Sequence, residues 1–326
     1  MSEKKFPSLT LNDYDLGDTI KLVQNGRIKI AKSRRTNELI VIKFLKKSNI
    51  IQSKQTQHIL NEMNIVPTLD HPSIIKFLSF NQDDKYLYFG FEFLPGGDLF
   101  TLLKAENNLS IDQSQFYLGQ IIFALDYLHS KKIIYRNLKP ENILINKNGY
   151  IKLTDFELVK YLDDRTYTIC GTPGYMAPEI ILNKGYGLGV DWWSLGILLY
   201  EMICGVDPFA DDSPMKIYEN ILEGKIKFTS NFDDCSKSLI KHLLDKDTSK
   251  RYGNLKNGVD DIKNHPFFRS MNWEKLLKQE IPADFIPKIK AGNELKYFDF
   301  YPNSDEKVKA IENDKDPFLK KKKKKN

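Results

Sequence analysis

Three places in this chain hold the residue types from which reaction chemistry is built. Lys43 lies inside the apolar run L-I-V-I-K-F-L at 39–45. A lysine buried there needs a partner for its charge, and Glu62, on a stretch with helical spacing, is the natural one. The stretch I-I-Y-R-N-L-K-P-E-N-I-L-I at 133–145 sets Arg136, Asn137, Lys139 and Asn142 among apolar residues. Thr154-Asp155-Phe156-Glu157 follows it. Carboxylate and amide oxygens of this kind suit a hard cation. Asn137 has nearly the shape of an aspartate and accepts a hydrogen bond, but a carboxamide takes up no proton, which general-base work requires.

The elements that must position these groups divide into two kinds. Up to about residue 93 the pattern is mainly strand-like, with 39–45 and the aromatic-rich 86–94 as buried strands. One helix is expected over 54–66, with Ile59, Met63 and Val66 at helical spacing and Pro67 as its stop. Pro95-Gly96-Gly97 reads as a hinge. Beyond it helices dominate. Ser110 and Gln113 form a capping box for a helix reaching about 130, with Ile121, Leu125 and Leu128 on one face. Asn148-Gly149 is a hairpin signal between two short strands. Helices follow over about 179–268, and the chain is irregular from 269. The expected class is α+β, a small β-rich part and a larger helical part with a ligand cleft between them. Residues 1–13 are expected to be a short, loosely ordered polar extension.

Composition narrows the partners. The 326 residues are 41% hydrophobic, enough for a sizeable core. The net charge is +6, and Lys320 to Lys325 supply six positive charges, so 6 − 6 leaves the body near neutral. No nucleic-acid partner is expected. The lysine run reads as a solvated tail, with contact to anionic surfaces or a nuclear address as alternatives. Cys170, Cys204 and Cys235 show neither metal spacing nor a disulfide framework, which suits a reducing cytoplasm. No signal peptide or transmembrane segment is legible; the most apolar window, 192–205, is too short to span a bilayer.

Four longer stretches carry a resemblance. Y-R-N-L-K-P-E-N (135–142), R-T-Y-T-I-C-G-T-P-G-Y-M-A-P-E (165–179), V-D-W-W-S-L-G (190–196) and K-R-Y-G-N-L-K-N-G-V-D-D-I-K-N-H-P-F-F (250–268) resemble the catalytic subunits of cAMP-dependent protein kinases, in the AGC group, over about 14–301. The resemblance implies a bilobal protein kinase fold over 14–268, with an N-lobe at 14–92, a hinge at 93–97 and a C-lobe at 98–268. An AGC-type tail follows at 269–326. It implies ATP and Mg²⁺ as cofactors. Lys43 and Glu62 match the strand-lysine and helix-glutamate pair, Asn142 and Asp155 the metal ligands, and Lys139 the cation on the transferred group. The family's catalytic aspartate is here Asn137, and Glu157 takes the place of the glycine in D-F-G. The glycine lid G-x-G-x-x-G-x-V is reduced to Lys21, Val23, Gly26 and Ile28, with Val41 against the adenine. Phe91, Glu92, Leu144 and Thr154 complete the nucleotide set.

The same resemblance makes Thr168 a phosphorylation site, with Arg136, Lys160 and His58 as its cationic partners. Asp98, Glu141 and Glu201 match acids that receive the arginines of a basic substrate or pseudosubstrate. Ile169, Pro173 and Met176 match the pocket for the residue after the target, where Gly174 replaces a glutamate. A cAMP-binding regulatory subunit is a further implied partner. Asp191 matches an anchor of the catalytic loop, Glu179 with Arg251 a buried ion pair, and Phe298 with Tyr301 tail aromatics. The family's terminal F-x-x-F is missing, so the tail is expected to bind the N-lobe loosely. The departures at 21, 23, 137 and 157 point to a kinase fold with impaired or absent phosphotransfer. The alternative is an active Ser/Thr kinase of low turnover, in the cytoplasm or the nucleus.

Overall fold

A computed structural model describes residues 8–302 and 308–319. The lysines at 320–325 and the first seven residues of the N-terminal extension lie outside that range. The chain parts into two compact units. One takes the described residues through Asp70, Ile75–Phe93 and those from Gly292 on; the other takes His71–Ile74 and Leu94–Ala291. The stretch 269–326, expected as one tail, is thus shared between them.

The first unit is built on an antiparallel sheet in the order β1-β2-β3-β5-β4. Its strands are β1 (Tyr14–Val23), β2 (Gly26–Ser33), β3 (Leu39–Lys46), β4 (Phe77–Gln82) and β5 (Tyr86–Glu92). Two helices follow β3, α1 (Lys47–Gln52) and α2 (Thr56–Ile65). The sequence suggested only the second; α1 lacks a side-chain N-cap and is short, so it leaves little periodic signal. Side chains alternate across a strand, and register therefore sorts the residues by face. Ile40, Ile42 and Tyr88 form one face of the sheet with Ala31, and Leu9 packs against them with no exposed surface. Leu9 also donates its N–H to the Phe80 carbonyl at 3.2 Å, and Asn81 Nδ2 donates to the Leu9 carbonyl at 2.6 Å. This corrects the expectation of a loose extension for residues 8–13. An apolar sheet face must be covered, and Leu9 covers it.

The tail corrects a second expectation. Asp316 forms an ion pair with Lys47 at 2.5 Å, with 0% and 1% of the two side chains exposed. Phe318 is buried, and its carbonyl accepts from Gln82 Nε2 at 3.2 Å. Asp-Pro-Phe supplies the buried carboxylate and ring that the missing motif does not. Tyr301 bridges to Thr19, and Phe298 packs on Phe93 with ring centroids 5.7 Å apart.

The second unit is helical. It contains α3 (Leu99–Glu106), α4 (Ile111–Ser130), α5 (Pro178–Ile181), α6 (Gly189–Cys204), α7 (Pro214–Glu223), α8 (Asp234–Leu243), α9 (Asp260–Lys263) and α10 (Trp273–Leu277). The capping box of Ser110 and Gln113 is formed at the start of α4. The short strands are β6 (Ile133–Ile134), β7 (Ile143–Ile145), β8 (Ile151–Leu153) and β9 (Lys160–Tyr161), pairing β6 with β9 and β7 with β8. Gly149 turns the β7–β8 hairpin at φ +80°, a conformation that glycine adopts without strain. A β-rich unit followed by a helical one is the α+β arrangement expected. No helix among the described residues is long and apolar enough to cross a membrane.

Candidate active site

In the first unit, cross-strand register lines up Lys21, Ile28, Lys43 and Phe89, and beside them Ile30, Val41 and Phe91. These lie on the face opposite Leu9. Five residues expected at the nucleotide (Lys21, Ile28, Val41, Lys43 and Phe91) thus share one face, and Val23, two residues from Lys21, joins them. Glu92 pairs with Ile40 on the other face, and its carboxylate accepts from the Lys76 N–H at 2.7 Å. Lys43 Nζ donates to both carboxylate oxygens of Glu62, at 2.8 and 3.0 Å, with 3% and 1% of the two residues exposed. The pairing inferred from a lysine in an apolar strand is present.

The lid is a tight hairpin in which Val23 pairs with Gly26. A Cβ on Gly26 would stand 1.8 Å from the Phe44 carbonyl oxygen. The surviving glycine is therefore required by the approach of β2 to β3, whatever it does for phosphates. Asn25 at the turn is buried. Its Nδ2 donates to Gln55 Oε1 at 2.7 Å and its Oδ1 accepts from Ser53 at 3.3 Å, so the turn is fastened to the segment between α1 and α2.

In the second unit, Asp191 holds the loop after β6. Its carboxylate accepts from the Tyr135 and Arg136 N–H groups at 2.9 and 2.8 Å, and from His129 Nε2 at 2.8 Å. Arg136 and Asp155 both sit at positive φ, +63° and +52°. Such left-handed geometry is uncommon outside glycine and gathers at functional sites. Asn137 Nδ2 donates to Asp155 Oδ2 at 3.0 Å and to the Asp155 carbonyl at 3.2 Å. Asn142 Nδ2 donates to the Asn137 carbonyl at 2.9 Å, and Thr154 N–H and Oγ1 bond the Asn142 carbonyl. The Tyr135 hydroxyl closes the ring on the Thr154 carbonyl. With its Nδ2 fixed, Asn142 presents Oδ1 as its remaining polar atom. One carboxylate and one amide oxygen form a donor set that suits Mg²⁺, which commonly takes one or two protein ligands and completes its shell with phosphate oxygens.

Comparison with known proteins now decides the family. The protein kinase domain matches residues 24–268. The cAMP-dependent protein kinase catalytic subunit PRKX of Mus musculus is 43% identical over 307 residues, 94% of this chain and 86% of that protein. The Homo sapiens PRKX is 43% identical over 299 residues, 92% of this chain and 84% of that one. The Saccharomyces cerevisiae cAMP-dependent protein kinase type 3 is 42% identical over 297 residues, 91% and 75% of the two chains. The chain belongs to the protein kinase family.

Within that family it is of the cAMP-dependent, AGC type, with the bilobal kinase fold. Kinases of this type use ATP and Mg²⁺. Lys43 with Glu62 is assembled within the first unit, and Asn137, Asn142 and Asp155, the positions expected to serve the nucleotide and the metal, are brought together within the second. Lys139, Leu144 and Thr154 lie in the second unit beside Asn142. Glu179 and Arg251 form the expected buried pair, bidentate at 2.6 and 3.0 Å.

Of the acids expected to receive arginines, Asp98 caps α3, accepting from the Thr101 N–H at 2.8 Å. Glu201 on α6 accepts from the Tyr175 hydroxyl. Burial, then the charges of Asp207 and Glu141, push the Glu201 carboxyl up to about 8. Asp207 is the residue that sequence reasoning missed. A Cβ on Gly174 would lie 3.2 Å from Asp207 Oδ2, so the space beside Gly174 is taken by the Asp207 carboxylate. Burial raises this carboxyl too. Nothing in the local sequence of Asp207 points to position 174. Ile169 is exposed, Met176 buried, and Pro173 opens the turn that carries Gly174 and Tyr175. Thr168 is exposed, with Arg136 and Lys160 in the same unit and His58 in the other.

Proposed function

We propose that this chain is a kinase-fold protein that binds Mg·ATP weakly and docks basic peptides or a regulatory subunit, with Ser/Thr phosphotransfer impaired or absent. The observation that carries this reading is the hydrogen bond from Asn137 to Asp155. At the position where the family places a base, a carboxamide donates to the carboxylate expected to hold the metal. Its Oδ1 can still orient a substrate hydroxyl by accepting a hydrogen bond, but the proton has no acceptor there. General-base groups contribute on the order of 10²–10⁴-fold, and that is the expected deficit.

The remaining groups favour nucleotide binding. Lys43, oriented by Glu62, would meet the nucleotide phosphates, and Asp155 with Asn142 Oδ1 would hold Mg²⁺, which neutralises phosphate charge when bound. Val23 puts a branched side chain where a glycine lets backbone N–H groups approach phosphates, so affinity is reduced. Glu141, Glu201 and Asp207 support docking of basic peptides by charge-assisted bonds. Three free cysteines support a cytoplasmic location, with the nucleus as the alternative.

The second reading, an active kinase of low turnover, is favoured by the intact Lys43–Glu62 pair. Transfer from labelled ATP to a dibasic serine peptide separates the two, using wild type, Asn137→Asp and Asp155→Ala. We expect transfer by wild type at least about a hundredfold below Asn137→Asp. Steady wild-type turnover, equal to that of Asn137→Asp and abolished in Asp155→Ala, would establish the active reading instead.

A further inference from the structure

Arg136 is 5% exposed, and two of its donors are already engaged by neutral acceptors. Nε donates to the Leu158 carbonyl at 2.8 Å and Nη1 to the Tyr186 hydroxyl at 3.1 Å. That hydroxyl donates onward to the Thr168 carbonyl at 2.5 Å. Tyr186 is tied to the same segment by its backbone. Its N–H donates to the Thr166 carbonyl at 2.9 Å, and its carbonyl accepts from the Thr166 N–H at 3.0 Å. Lys160 Nζ adds a bond to Thr166 Oγ1 at 3.2 Å. On the far side, Gly171 at φ +114° brings the segment within 3.3 Å of the Arg136 carbonyl, measured from the place of a Cβ. The Thr168 side chain takes no part in this lattice and faces solvent.

We propose that Tyr186 is a positioning residue: its hydroxyl clamps the segment 166–171 to the catalytic loop by bridging Arg136 and the Thr168 carbonyl. The chemistry is consistent in both directions. Arg136 is permanently cationic and needs acceptors when buried. The phenol offers it a lone pair and keeps its own proton for the Thr168 carbonyl. Burial pushes that phenol up to about 12, against the opposing charge of Arg136, so it remains a donor throughout the physiological range. A phosphate at Thr168 would bring stronger acceptors for the remaining guanidinium N–H groups.

Hydrogen exchange, which needs no catalytic activity, tests this on full-length protein verified as phosphate-free by mass. Wild type, Tyr186→Phe and Thr168→Ala are compared by the amides of 166–171, with those of α4, α6 and the first unit's sheet as references. We expect Tyr186→Phe to speed exchange of 166–171 by about tenfold, as loss of a hydrogen bond to a charged group implies, with the references unchanged. Thr168→Ala should stay within about twofold of wild type, since its carbonyl remains. Unprotected 166–171 amides in the phosphate-free wild type would overturn the proposal. So would unchanged protection in Tyr186→Phe. A variant that loosens α4 and α6 as much as 166–171, or fails to fold, would mark Tyr186 as a general packing residue and overturn it equally.

Discussion

Asn137 Nδ2 lies 3.0 Å from Asp155 Oδ2 and donates to it. An aspartate in place of Asn137 would set two carboxylates at the same separation. Like charges so placed raise one of the two pKa values and destabilise the ionised pair.

Asn137→Asp is therefore expected to act in opposite directions on two measurements. Without divalent metal it should lower stability by about 1–3 kcal/mol, because a donor to a half-buried carboxylate is replaced by a like charge. With Mg²⁺ and nucleotide the cost should shrink, and peptide phosphorylation should rise on the order of 10²–10⁴-fold. Urea unfolding with and without Mg·ATP checks the first, and initial rates check the second. A variant as stable as wild type without metal would show that the two side chains do not share a site.

The Lys43–Glu62 pair is buried on both sides, so removing one partner takes the 2.8 Å bond from a buried charge. Glu62→Leu or Lys43→Met alone should cost about 3–5 kcal/mol, whereas the double substitution should recover most of that loss. The double variant should still show no thermal shift with Mg·ATP. For wild type, a ligand at about a hundred times its Kd is expected to add roughly 2.7 kcal/mol. A double-mutant cycle with no coupling would remove the pair from the account of the site.

Asp316→Ala leaves Lys47 buried without its carboxylate. We expect a loss of about 3–5 kcal/mol from the first unit. Amides of α1 and β4 should exchange faster, because the tail from Ile311 to Phe318 is tied to that unit through Asp84, Lys47 and Gln82. Asp316→Ala with wild-type unfolding in urea would make the tail contact incidental.

Glu201 supplies the pH dependence. Its carboxyl titrates at about 8 in the folded chain against an ordinary 4.5. Between these values the folded state holds one proton more than the unfolded state. Stability from this group is thus present at low pH and falls as pH rises through about 8, by about 1.4 kcal/mol per pH unit. Glu201→Gln should flatten that slope. Docking an arginine peptide needs the ionised form, so binding near pH 7 should release a proton and tighten as pH rises towards 9. Calorimetry in two buffers of different ionisation enthalpy reads the release directly. Proton uptake, or none, would count against Glu201 as a docking residue.

Much of this was legible from the chain alone, for a physical reason. Chemistry that needs adjacent side chains writes itself into short stretches, as at 133–145 and 154–157. A lysine in an apolar strand demands an acid, and Glu62 was the available one. The Ser110–Gln113 box and the Asn148-Gly149 turn are local hydrogen-bond and backbone requirements that sequence records. Tertiary structure alone decided the rest. Leu9 covers a sheet face whose existence depends on five strands pairing. Asp316 reaches Lys47 across 269 residues, and Asp207 occupies the room that Gly174 leaves. None of these has a local signature, because each is fixed by which surfaces meet after folding. The direction of the Asn137 amide belongs with them: the residue type withheld a base, and only the fold aimed its Nδ2 at Asp155.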